Sequence, residues 1–204
     1  MPANEAVALH PEFNYVLLDL GDQYYLLEEE LHQGALERFD FQAEGKSERV
    51  YKGSDLEGIM LQHPFYNKQV PVIMGDHVTT ETGTGAVHTS PSHGQDDYIV
   101  GLKYNLPVDC PVDGKGVFID TTESLAGEYI FKANTTIIEL LKKKNTLVTH
   151  IPMMHSYPHC WRHKTPVIFR ATPQWFVSMT QNKLRDTVNA VSYTHLTLPT
   201  ICSV

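Results

Sequence analysis

The chain has 204 residues, 42% hydrophobic and 20% charged, with a formal net charge of -8. That length suits one sizeable domain, and no apolar run approaches the roughly 20 residues a membrane-spanning helix needs. The acidic balance excludes a surface that clamps a nucleic-acid backbone along its whole extent, though it leaves room for a local contact. Three cysteines, Cys110, Cys160 and Cys202, and no basic-then-apolar opening point away from a disulfide framework or secretory leader and toward the cytoplasm.

In chain order, Tyr15 to Leu20 and Gln23 to Leu27 are rich in Tyr, Val and Leu about Gly21-Asp22, which predicts a hairpin. Glu28 to Phe39 then predicts a helix. Val70 to Met74, Gly85 to Thr89, Val117 to Ile119, Leu147 to His150 and Pro166 to Arg170 predict short strands, since Gly, Asp, Asn and Pro separate them. A further helix is expected with Asn134 as its N-cap. It would carry Ile137, Ile138, Leu140 and Leu141 on one face and Lys142, Lys143 and Lys144 at the negative end of its dipole. That position accounts for the lysine run as a solvated helix end, the alternative being an RNA-binding patch.

The richest stretch runs from Thr82 to Tyr98 and holds two histidines, two carboxylates, three glycines and several hydroxyls. Gly83 and Gly85 allow close backbone approach, and Ala86-Val87 predict a strand that delivers His88 at its end. Ser92 followed by Gln95 has the form of a capping box, so a helix is expected over Gln95 to Asn105, its N-terminus facing the end of that strand. Neighbouring helical positions diverge by about 100°, so only one of Asp96 and Asp97 can point into a pocket. Three readings fit these residues: a reactive site, carboxylates that merely complement a helix dipole, and a metal site built from His88, His93 and Asp97. The span lacks an H-x-x-x-H or H-E-x-x-H pair, which weighs against the metal.

The run Gly83-Thr-Gly-Ala-Val-His88, continuing through Pro91, His93-Gly94 and Asp96-Asp97-Tyr98, resembles the editing-domain signature of isoleucyl-tRNA synthetases. Gly75-Asp-His-Val78, Phe131-Lys-Ala-Asn134, and the blocks His155 to Pro166 and Phe169 to Met179 extend the resemblance in the family's order. Valyl enzymes share the fold, but Ser156-Tyr157-Pro158 and Trp161-Arg162 look isoleucyl.

The resemblance implies a β-rich α+β fold: the barrel-like editing domain of the valyl, isoleucyl and leucyl enzymes, with the Gln95 and Asn134 helices packed around its sheet. Residues 1–190 would form that domain, incomplete at its N-terminus, with the return to the catalytic core starting near 166–190. The implied activity is hydrolysis of valine from the isoleucine tRNA. The alternative is an inactive fragment that only binds the aminoacylated tRNA end.

Such a domain answers a limit long illustrated by isoleucyl enzymes themselves: one missing methylene is worth only about 1–3 kcal/mol in an apolar pocket. Asp97 and His88 are the implied catalytic residues, Asp97 accepting the substrate's α-ammonium and His88 lining a pocket that excludes isoleucine. Asn4, Gly83, Thr84, Gly85, Ala86, Val87, Thr89, His93 and Gly94 are the implied substrate-binding residues, the Gly83–Gly85 backbone lying beside the terminal adenosine.

The family's threonine-rich, water-positioning segment is expected before Pro2. The core's His-Ile-Gly-His and Lys-Met-Ser-Lys-Ser signatures are absent from the chain, so ATP and Mg are expected only for the full-length enzyme and no cofactor for editing. The expected partners are the valine-carrying acceptor end of the isoleucine tRNA and the remainder of the synthetase, with no membrane. Some relatives carry a zinc knuckle at Cys160-x-x-His163, but two ligands make half a tetrahedral site, so no metal is expected. From Val191 to Val204 the match stops inside an expected helix and the residues look like a translated sequencing adapter. On that reading His195 and Cys202 carry no chemistry.

Overall fold

The computed structural model describes every residue except 1, 22, 41–45, 82, 153, 155 and 196–204. It divides into two compact units, residues 1–171 and 172–204.

In the first unit, β1 (Ala6–Leu9) is one of the two inner strands of a four-stranded sheet ordered β5-β6-β1-β7. It pairs in parallel with β6 (Gln69–Met74) and antiparallel with β7 (Ala86–Thr89), and β5 (Met60–Gln62) closes the other edge. A three-stranded antiparallel sheet is centred on β2 (Asn14–Asp19), flanked by β3 (Tyr24–Glu28) and β4 (Lys46–Lys52). The expected hairpin is β2-β3, with Leu17 opposite Leu26; Asp22 lies outside the described residues.

Side chains alternate across a strand, and that alternation builds the layers. Ala6, Ala8 and Ile73 face one way and pack with Val100 of α2 (Gln95–Lys103), while Leu9, Val72 and Met74 face the other and meet Tyr15 of the second sheet. On that sheet's far face, Val16, Leu18 and Leu27 bury Ala35 of α1 (His32–Arg38). The order is α1, sheet, sheet, α2. β1 is apolar throughout because both its faces are covered, so it shows no period of two.

Several sequence expectations change. α1 starts at His32 rather than Glu28, because Glu28 ends β3 and its carboxylate accepts hydrogen bonds from the Glu30 and Leu31 amides, bending the chain first. Residues 147–150 form no strand; 117–119 and 166–170 contribute only the isolated bridges Val112↔Phe118, Val117↔Tyr129 and His159↔Pro166. α3 (Ala133–Lys143) begins before Asn134, which lies in its first turn and does not cap it. The apolar cluster that α3 joins, with Val112, Phe118 and Leu125 at its centre, contains residues of 110–140 and none from the named strands. Only α2 of the two expected helices therefore packs on a sheet in these clusters.

The second unit contains α4 (Leu184–His195). It runs past residue 191, where the resemblance ends; Cys202 lies outside the described residues. No helix among the described residues is long and apolar enough to cross a membrane.

The two sheets are tied by a buried tyrosine. The Tyr15 hydroxyl accepts from the His10 amide at 3.0 Å and donates to the Gly85 carbonyl at 2.8 Å; burial raises its pKa, so it remains a donor. Tyr15→Phe strands both backbone groups and should lower unfolding free energy by about 1–3 kcal/mol. Urea denaturation checks this; an unchanged midpoint would show the hydroxyl to be dispensable.

Candidate active site

Gly85 opens the site-bearing segment with φ +74°, and a Cβ there would stand 2.2 Å from the Glu28 Cβ, so only glycine fits this approach. The close partner is β3, not a ligand. The loop is otherwise held by the Glu28 amide donating to Thr84 O at 3.0 Å and by Arg38 donating to Gly83 O. Thr82 lies outside the described residues. From Gly85 the chain enters β7, where Ala86, Val87 and His88 pair with Leu9, Ala8 and Val7.

Asn4 and Glu5 clamp the end of that strand. Asn4 Oδ1 accepts from the Thr89 amide at 3.2 Å, and the Glu5 amide donates to Thr89 O at 2.9 Å. Buried Asn4 thus acts on backbone, while its neighbours Pro2 and Ala3 line the cavity described below.

The expected capping box does not form. Gly94, in extended conformation, is the N-cap of α2, and no side chain caps the helix. The turn that brings the His93 amide to Ser90 O at 3.0 Å swings the Ser90 amide over the helix end, where it donates to Asp97 Oδ2 at 2.9 Å. The other Asp97 oxygen takes no hydrogen bond from the described residues. A Cβ at Gly94 would meet the Asp97 carboxyl carbon at 3.0 Å. Asp96 faces elsewhere, into a depression shared with Asp76 and His77, so the two carboxylates diverge as helical geometry requires.

A cavity of ≈ 240 Å³ lies beside this junction. Its polar wall is His88, Ser90, His93 and Asn134; its apolar wall includes Val112, Phe118, Ile137 and Ile168. The volume falls below the roughly 300 Å³ at which pockets for drug-sized ligands begin, which suits a small side chain. His93 Nδ1 donates to the Phe169 carbonyl at 2.8 Å, since a carbonyl only accepts, and its Nε2 lies 3.9 Å from Cys110 Sγ. Asn134 escaped the site reading because its helix-initiating residue type has a commoner explanation; the Phe131-Lys-Ala-Asn134 match was the available signal.

Burial lowers the His88 pKa from 6.5, with the Asp97 charge pulling the opposite way. His88 is nonetheless an exposed residue of β7, so the protein wall strips only part of its hydration. A second cavity of ≈ 260 Å³ lies beyond Pro2 and Ala3, but its Glu5 and Lys68 neutralise each other at 2.7 Å and none of Gly83 to Asp97 lines it. Cys160 and His163 share a tight loop closed by the Cys160 amide on Thr165 O at 2.8 Å; no group of three His, Cys, Asp or Glu suited to a metal gathers among the described residues.

A solved structure described as the crystal structure of GlLeuRS-CP1 shares this fold, with a TM-score of 0.56 and 18% identity over 74% of this chain and 79% of that one. This α+β architecture is that of a synthetase editing domain. The family model for the leucyl-tRNA synthetase editing domain matches residues 33–146, and the chain belongs to that family. Its relatives include the isoleucine--tRNA ligases of Ruthia magnifica subsp. Calyptogena magnifica, 64% identical over 93% of this chain, and of Vesicomyosocius okutanii subsp. Calyptogena okutanii, 60% identical over 93%. The chain spans about a fifth of the length of these relatives, 20% of each.

A histidine with a depressed pKa withholds a proton that its unfolded counterpart takes up. Its stabilising contribution is present above pH 6.5 and is lost as pH falls through the lower folded value. Urea midpoints measured between about pH 5 and 8 should therefore decline less toward acid in His88→Gln than in the parent. Parallel curves would refute the assignment.

Proposed function

We propose that the domain hydrolyses valine from mischarged isoleucine tRNA, acting in the cytoplasm as part of an isoleucine--tRNA ligase. The observation that carries this reading is the small, mostly apolar cavity whose polar wall is set by β7 and the start of α2. The apolar side receives the aliphatic side chain, and rejection of the isoleucyl ester, one methylene larger, rests on the residues that line the wall rather than on the cavity's total volume. His88 lines this wall, as an excluding residue must.

Asp97 keeps one carboxylate oxygen on the Ser90 amide and offers the other to the substrate's α-ammonium, a charge-assisted contact that requires a carboxylate. On this reading the Gly83–Gly85 backbone, at the entry of the same strand, faces the terminal adenosine. An aminoacyl ester is already activated, so a held water and a polarised carbonyl suffice for hydrolysis without a covalent nucleophile or cofactor. ATP and Mg serve the aminoacylation performed by the full-length enzyme.

Asp97→Asn preserves an acceptor for the Ser90 amide and removes the charge. It should lower kcat/KM for valyl-tRNA hydrolysis by about 10–100-fold, as expected for loss of one hydrogen bond to a charged group. Chelator should leave the parent rate unchanged. Binding of the acylated end without turnover would favour the inactive-fragment reading, and equal hydrolysis of valyl and isoleucyl esters would sink the editing assignment.

A further inference from the structure

Arg38 closes α1 and reaches the loop ahead of β7, where its guanidinium donates to the Gly83 carbonyl. It is exposed and forms no ion pair among the described residues; Glu37 and Asp40, its nearest carboxylates in the chain, are not paired with it. One contact to a carbonyl leaves most of a guanidinium's N–H donors unspent. Gly83 is exposed as well, at φ +96° with no described atom within 4 Å of where a Cβ would stand. The rest of the loop is fixed on β3, through Gly85 against Glu28 and the Glu28 amide on Thr84 O. Arg38 therefore stands at the part of the loop left open, and neither it nor Gly83 lines the ≈ 240 Å³ cavity.

Resting on the editing reading above, in which the Gly83–Gly85 backbone faces the terminal adenosine, we infer that Arg38 binds the phosphodiester on the 5′ side of that nucleotide. This phosphate lies one ribose from the base, so a cation one hydrogen bond from the adenosine-facing loop is placed to meet it. Guanidinium chemistry fits the ligand: it stays charged, and its planar fork can keep one N–H on a carbonyl while offering a paired edge to two phosphate oxygens. A lysine ammonium is a point charge without that geometry, although it would suit the end of the α1 dipole equally well. The chain's net charge of -8 excludes a broad basic clamp, so the acylated end is held by cations set singly where its phosphates pass.

The phosphate takes no part in ester hydrolysis, and no bond to it forms or breaks. Arg38 therefore holds ground state and transition state alike, which lowers KM and leaves kcat unmoved. Because it stands outside the cavity, it adds to the binding of the nucleotide and nothing to the choice between amino acids.

The test is deacylation by the 204-residue chain of two esters that differ in one group, 3′-valyl-adenosine and 3′-valyl-adenosine 5′-phosphate. The parent is compared with Arg38→Gln, Arg38→Lys and Lys143→Gln, with thermal unfolding as a check on folding. In the parent the phosphate should lower KM about fivefold, the scale of one charge-assisted contact at an exposed site. Arg38→Gln should bring that ratio near unity, whatever it does to the phosphate-free ester, and Arg38→Lys should keep part of it. Lys143→Gln, an equal charge change at an exposed lysine, should keep all of it. With valyl-tRNA, the slope of log KM against log salt should flatten by about 0.7 in Arg38→Gln and hold in Lys143→Gln. A parent with no phosphate advantage, an Arg38→Gln variant that retains it, or an equal loss in Lys143→Gln overturns the inference and leaves the editing reading standing. A parent that hydrolyses neither ester nor valyl-tRNA defeats the editing reading instead. Anisotropy titration with a labelled trinucleotide of the tRNA 3′-terminal sequence then decides the Arg38 question alone: weaker binding in Arg38→Gln than in Lys143→Gln supports it, and equal or absent binding overturns it.

Discussion

The hydroxyl of Tyr15 is the hinge on which the first unit is assembled. It sits where the two sheets meet, takes the His10 amide and gives its proton to the Gly85 carbonyl, so one buried group spans β1's exit, β2 and the entry to β7. The contact works only because Gly85 has no side chain to collide with Glu28. With Gly85 pinned, the register of β7 against β1 follows, and with it the position of every site residue from Ala86 to Ser90. Register is unforgiving here, since a slip of one residue would exchange the two faces of the strand.

At the other end of β7 the organising contact is electrostatic. The first turn of α2 offers two carboxylates, and both suit the positive end of the helix dipole. Only Asp97 is turned toward the strand end, because the chain from Ser90 to Gly94 folds back over the helix and presents an amide to it. One carboxylate oxygen thereby anchors the amide of a residue outside the helix. The depressed pKa of His88 arises at the same junction: burial lowers it, while the Asp97 charge pulls the opposite way.

Much of this was legible in the residues where a local rule and the tertiary outcome agree. The β2-β3 hairpin follows from its apolar runs about Gly21, β7 from Ala86-Val87, and the divergence of Asp96 from Asp97 from helical geometry alone. The reading failed where a distant group captured a local one. The Ser92-Gln95 pattern satisfies the capping rule, yet Gly94 is the cap and Asp97 bonds Ser90. Asn134 satisfies the N-cap rule, yet the Lys132 and Ala133 amides already reach Tyr129 O and start the helix earlier, which leaves Asn134 on the cavity wall. Residues 166–170 form a short apolar stretch like a strand, but Arg170 donates to Val112 O and the Ala171 amide to Ser92 O, so side-chain and single backbone anchors replace a ladder.

By itself the sequence determined the class of domain and gathered, within one short stretch, the residues proposed to carry its chemistry. Glycine at Gly83 and Gly85, a histidine at the strand end and acids opening a helix are demands made within a few residues, and such demands are written into residue type. The apolar cavity wall, the pairing of Asn4 with Thr89 and the burial of the Ser90 hydroxyl were decided only by the tertiary structure. Each of these joins segments far apart in the chain: Asn4 meets Thr89 and Ser90 shares its cavity with Ile168. A side chain's solvation and hydrogen-bond partners depend on what folds against it, and no local pattern records that.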